Sequence, residues 1–176
     1  MNDHPPASLI SVVGGECTGK STLAAALGDA LPAVVVSETL RDWVDAQGRV
    51  PERHEQEQVM ATHRDSELSA LMRARWVVSD SGPLMTAAYS IQYYDDDSLL
   101  PTAVQWTADS DLVVWCQADF AWQPDPQRDG ADARSATQRI LAEIFDGNPR
   151  LPVLPVTGSL DERVAAVLGA VARDVP

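Results

Sequence analysis

Short aliphatic runs alternate along this chain with longer stretches whose apolar positions recur every three or four residues. The runs are Leu9–Val13, Ala33–Ser37 (AVVVS), Trp76–Ser79 (WVVS), Leu112–Cys116 (LVVWC) and Pro152–Val156 (PVLPV). The first four are nearly continuous in apolar residues, as strands covered on both faces must be. The fifth contains prolines, which lack a ladder donor and suit a sheet edge. Helical patterns cover Ser21–Leu31, Glu52–Arg73, Leu84–Tyr94, Ala133–Phe145 and Leu160–Ala172. This alternation predicts an α/β fold, a five-stranded parallel sheet with helices on both faces in three layers. Ligands of such sheets sit at the carboxyl ends of the strands, so each polar residue just past a strand becomes a candidate.

The first exit is the most informative. Residues Gly14-Gly15-Glu16-Cys17-Thr18-Gly19-Lys20-Ser21 fit the pattern G-x-x-x-x-G-K-S and lie between a predicted strand and a predicted helix. Glycines there let successive N–H groups turn into one hollow, and the helix adds its unpaired amides and positive dipole end. Lys20 is placed to reach the β- and γ-phosphates of ATP, and Ser21 to ligate Mg²⁺. Thr22 follows in the first helical turn. The motif makes the sheet a P-loop NTPase fold and Gly14 to Thr22 its ATP site.

The other exits supply the rest. Past the second run come Glu38 and, three residues on, Arg41. Glu38 can take a proton from an attacking hydroxyl or help hold Mg²⁺; as a plain helix-start acid it would cap amides and pair with Arg41. Past the third run comes Asp80, a second Mg²⁺ anchor or an N-cap. The fourth exit, Ala118 to Ala133, is polar and proline-rich. It reads as a flap carrying Trp122, Asp125 and Arg128, with Arg134 and Arg139 on the helix beyond, and closing it would bring Arg128 or Arg134 onto phosphate. At the fifth exit, Gly158 lies where a turn can pass along an adenine ring, and Ser159 with Glu162 forms a capping-box pattern. The run Asp95-Asp96-Asp97 reads as a solvated loop.

Length and composition narrow the classes. The 176 residues suit one domain, with 1–8 as a loose tail and 9–176 as the folded unit. A formal charge of −13 and a pI near 4.4 exclude a broad nucleic-acid surface. Neither the two cysteines, Cys17 and Cys116, nor the three histidines form a metal-ligand cluster. No leader or membrane-length apolar run is present, so a cytoplasmic protein is expected, free of membrane partners. Oligomeric state is left open.

The ordered motifs resemble the ribosylnicotinamide kinase domain of NadR-type NAD biosynthesis proteins. The likeness runs from Leu9 onward. It rests on GGECTGKST, on Glu38 with Arg41, on Asp80-Ser81 followed by Thr86, on Trp122-x-x-Asp125-x-x-Arg128-Asp129, and on a loose Gly-x-x-x-x-Arg ending at Arg163. Ser81 replaces the family's usual Thr, and Pro126 its usual Gly. The resemblance implies an ATP- and Mg²⁺-dependent kinase acting on nicotinamide riboside. It also implies ATP contacts from Gly158 and Arg163, acceptor contacts from Glu38, Arg41, Trp122 and Asp125, and catalytic roles for Lys20, Glu38, Asp80, Arg128 and Arg134. The sequence lacks the His-x-Gly-His signature of the family's nucleotidyltransferase half, so the kinase activity alone is expected. Another nucleoside or small-metabolite kinase, or an ATP-driven switch, fits the same loop.

Overall fold

The computed structural model describes residues 7–119 and 131–174. Its strands are β1 (Ser8–Val13), β2 (Val34–Val36), β3 (Trp76–Asp80), β4 (Leu112–Cys116) and β5 (Val153–Val156). All pairings are parallel, and the sheet order is β2-β3-β1-β4-β5. The proline-bearing β5 is an edge, as expected, and short β2 is the other. Order reverses around β1, so the crevice of the sheet opens where β1, β3 and β4 end.

Helices cover both faces. On one side lie α1 (Lys20–Ala30) and α7 (Leu160–Asp174). They pack with Ile10, Val12, Val78, Val114 and Val156 around Leu23, Leu27 and Val167. On the other lie α3 (Gln56–Leu71), α4 (Pro83–Tyr94), α5 (Leu100–Thr107) and α6 (Ala131–Gly147). There Val13 and Val113 meet Met60, Leu84, Met85 and Leu141. Alternate residues of β1 thus serve opposite cores, the period-two rule of a strand buried on both faces.

Two helices escaped the sequence pattern. The first, α2 (Thr39–Gln47), follows β2 directly and has no buried residue. Only nine residues long, with Leu40 packed against the main core and no residue fully buried, it offers too short a window for its period to be read. The other, α5, is only eight residues long and starts beside a proline. The long helix expected from Glu52 begins as a 3-10 turn, Arg53–Glu55, before α3 proper. Asp96 is not a solvated acid as expected. It is buried, pairs with Arg53 Nε at 2.7 Å and accepts the Ser98 N–H at 3.1 Å.

Helix α1 approaches the sheet closely at Gly28, where an added Cβ would stand 2.5 Å from Val35 Cγ2. Gly28→Ala should force β2 outward and lower stability by about 1–3 kcal/mol. Urea unfolding should show an earlier midpoint with an unchanged slope.

Candidate active site

The loop after β1 is shaped by contacts only small residues permit. Gly14 has φ +151°, and a Cβ on it would lie 2.8 Å from both the Cys116 carbonyl and Thr18 Oγ1. Gly15 lies under α6, and a Cβ there would meet the Arg134 carbonyl at 2.8 Å and Arg134 Cγ at 3.1 Å. Gly19 (φ 81°) and Cys17 (φ 52°) turn the backbone through the left-handed region, so that the loop curls into α1. Thr18 is fully buried, and its hydroxyl donates to the Gly15 carbonyl at 2.7 Å. Lys20, largely buried, folds back to the same carbonyl at 3.0 Å. Glu16 and Ser21 are half-buried and Thr22 is exposed.

The loop is held from behind by Arg163. This side chain is 3% exposed. It donates to the carbonyls of Thr18 (2.7 Å), Gly158 (3.0 Å) and Gln117 (3.2 Å), and forms an ion pair with Asp119. The Asp119 carboxylate also accepts the Gly158 N–H. Arg163 and Gly158, expected as ATP contacts, tie the loop to the β4 and β5 exits through these bonds. Ser159 and Glu162 form the expected capping box, with the Ser159 N–H 2.7 Å from Glu162 Oε2. Asp119 was missed because a lone acid past a strand carries no spacing signal.

The exits of β2 and β3 flank the loop. Asp80 lies beside Val12 in the sheet register and is 5% exposed. Ser81 continues the ladder by donating its N–H to the Val12 carbonyl at 3.0 Å, and its φ of 58° turns the chain into α4. Glu38 stands at the N-terminal cap of α2 and pairs with Arg41 Nη2 at 3.2 Å. Arg41 is exposed, so this pair adds little stability. Burial pushes Tyr89 well above its ordinary range, and the charges of Glu38, Glu16 and Asp80 push it the same way. Tyr89 also faces Tyr93, with ring centroids 6.2 Å apart. Cys116, on the loop's other flank, is raised to about 11 by burial, against the opposing charges of Arg163 and Lys20.

Arg134 is carried to the loop by α6, which two polar side chains hold in place. Thr137 donates to Gln92 of α4 at 2.6 Å, and Gln138 bridges the Trp115 indole (2.7 Å) and the Cys116 carbonyl (2.8 Å). Arg139 is exposed. Trp122, Asp125 and Arg128 lie outside the described residues. A groove of about 460 Å³ runs between β2 and α3, lined by Val34, Val35, Ser69 and Arg73, with Thr39 at one end. It holds no phosphate-loop residue and is not the nucleotide site.

A buried polar chain under the β3 exit also went unseen. Thr39 Oγ1 lies 2.9 Å from His63 Nδ1, His63 Nε2 lies 2.7 Å from Ser79 Oγ, and Ser79 donates to Glu67 at 2.6 Å. Arg64 donates to Glu67 at 3.1 Å and pairs with Asp109. The signal was present: polar residues 56, 63, 64 and 67 fall in the same helical register as buried Val59, Met60 and Ala70.

The comparisons with known proteins agree with this architecture. The AAA domain family model matches residues 9–163. The chain belongs to that family. No curated protein matches it by sequence. Among solved structures, a NadR protein in complex with NR is 17% identical with a TM-score of 0.78, covering 96% of this chain and 51% of its own. The AAA-family chain thus spans about half the NadR protein. A thymidylate kinase from Ehrlichia chaffeensis is 15% identical (TM-score 0.69), covering 95% of this chain and all of its own, 100%. A deoxyadenosine kinase from M. mycoides with products dCMP and dCDP is 12% identical (TM-score 0.68), covering 94% and 99%. At these identities the likeness is one of fold. No described helix is long and apolar enough to cross a membrane.

Burial lowers the His63 pKa from 6.5 to about 4. Neutral in the folded state, it takes up a proton more readily once unfolded. Stability should therefore fall as pH drops from about 6.5 through 4, by up to about 3 kcal/mol. Glu67, raised by burial, works the other way, because the folded state binds its proton first. Urea melts at pH 7, 5.5 and 4.5 should show a steeper decline for the native chain than for His63→Gln.

Proposed function

We propose that this protein is an ATP-dependent small-molecule kinase whose acceptor is a nucleoside, with nicotinamide riboside the favoured one. The observation that carries the reading is the pair of carboxylates at strand exits on one side of the phosphate loop, Glu38 just past β2 and the buried Asp80 at the end of β3. A switch ATPase needs a loop and a metal anchor. A further carboxylate at the β2 exit is what a hydroxyl acceptor requires.

The reaction follows from these placements. Loop amides from Gly15 to Ser21 and the start of α1 cradle the ATP phosphates, with Lys20 over the β- and γ-phosphates. Glu38 accepts the proton of the acceptor hydroxyl as its oxygen bonds to the γ-phosphorus and the bond to the β-γ bridging oxygen breaks. ADP leaves with that electron pair. Arg134, above Gly15, and Arg128 of the flap neutralise charge on the transferred group. Trp122, Asp125 and Arg41 complete the acceptor side.

Mg²⁺ fits the donors present. Ser21 and Asp80 offer hard oxygen, and the buried Asp80 carboxylate accepts a long hydrogen bond from the Ser81 hydroxyl at 3.4 Å. No three-residue cluster able to hold a metal exists among the described residues, which suits a cation completed by phosphate and water. When bound, Mg²⁺ would neutralise β- and γ-phosphate charge.

Charge also bears on the acceptor. Glu38 at the β2 exit and Asp80 at the end of β3 favour a neutral or cationic acceptor over a phosphorylated one. Nicotinamide riboside is a flat cation that an aromatic face would suit, and Trp122 is the candidate for that contact. This supports a place in NAD salvage rather than thymidylate phosphorylation.

An ATP-consumption assay with nicotinamide riboside, deoxyadenosine, thymidine and thymidylate tests the reading. Nicotinamide riboside should stimulate turnover most. Slow hydrolysis indifferent to every acceptor would sink it in favour of a switch. Lys20→Ala should abolish nucleotide binding by calorimetry. Glu38→Gln should cut turnover by about 10²–10⁴ while sparing ATP affinity; wild-type turnover in that variant would make Glu38 a helix cap.

A further inference from the structure

We propose that His63 is a positioning residue for the transfer site, one imidazole that sets where Glu38 and Asp80 stand by holding the residue next to each. The Glu38 half rests on the kinase reading; the Asp80 half rests only on nucleotide binding at the loop.

The ring spans two strand exits. Its Nδ1 meets Thr39, which follows Glu38 and opens α2, and its Nε2 meets Ser79, which precedes Asp80. No residue of α2 is fully buried, and Leu40 is its one side chain packed against the main core, so its first turn has little apolar packing to fix it. The hydrogen bond from Thr39 supplies that anchor.

The chain has one direction. Ser79 donates its proton to Glu67, so its oxygen accepts from His63 Nε2–H. The Nδ1 lone pair then accepts the Thr39 hydroxyl proton. At the far end, Glu67 is held by Arg64, and Arg64 by Asp109 just past α5. His63, Glu67 and Ser79 are 1%, 1% and 0% exposed, so water cannot substitute for a lost partner. Space is tight as well. A Cβ on Gly82 would come within 3.2 Å of Glu67 Oε1 and 3.4 Å of Ser79 Oγ, so the residue after Asp80-Ser81 is pressed against the same network.

A structural role alone would lower stability without sorting the two carboxylates. A positioning role sorts them. Thr39→Val keeps the shape and removes the donor. It should lower kcat by about ten- to a hundredfold, leave the affinity of a non-hydrolysable ATP analogue within about twofold, and be rescued by Thr39→Ser. Ser79→Ala should raise the Mg²⁺ concentration needed for that analogue to bind, read by calorimetry with no acceptor present. His63→Gln, whose amide reaches only one neighbour at a time, should show part of both defects, and it carries the Mg²⁺ test if Ser79→Ala does not fold. Wild-type kcat in Thr39→Val, or a loss that Thr39→Ser fails to restore, overturns the Glu38 half. Unchanged Mg²⁺ dependence overturns the Asp80 half. If the native chain phosphorylates no acceptor, the kinase reading fails by itself, and calorimetry still decides the role of His63 at Asp80.

Discussion

Loops at the carboxyl ends of parallel strands carry carbonyl groups that no ladder satisfies. A site made of several such loops keeps its shape only if something inside the protein binds those carbonyls. Here that is the Arg163 guanidinium, which is planar, permanently charged and able to donate in several directions at once. It joins the phosphate loop at Thr18, the β4 exit at Gln117 and the β5 exit at Gly158, with Asp119 balancing its charge. Lysine could supply the charge but not the fork. The loop geometry, the close approach of Gly14 to Cys116 and the seat of α6 over Gly15 all depend on these exits staying together.

The open side of the loop carries carboxylates. Glu38 stands just past β2 and the buried Asp80 ends β3. Acids so placed favour cations over anions among the groups that enter, so the electrostatics of this side bear on selectivity.

Much of the frame was legible because it is hydrophobic and periodic. The five strands lie within about two residues of their aliphatic runs, and the proline-marked β5 is an edge. Glycine spacing revealed the phosphate loop because a backbone of that shape tolerates few other residues. What stayed hidden lacks a local signature. Helix α2 is nine residues long and only partly buried, too short for its apolar stripe to stand out. His63, Arg64 and Glu67 are polar residues in core register, whose partners Thr39, Ser79 and Asp109 are scattered along the chain. Arg163 was noticed as a motif end, yet whether it faces nucleotide or carbonyls depends on three loops meeting, which only tertiary structure decides.

Strand β1 sits between β3 and β4, so residues 8–13 pair with partners some 68 and 102 positions away in the chain. Its Leu9 N–H also bonds the Asp111 carboxylate across 102 residues. These contacts are long-range, and their loop-closure entropy must be met before they contribute. The phosphate loop therefore cannot assemble on an N-terminal fragment, since its turn at Gly14 is shaped against Cys116. Acquisition of nucleotide affinity would then be a late event in folding. During synthesis on the ribosome the loop would stay unformed until β4 has emerged, and nucleotide present at that stage would favour the last steps of folding by mass action.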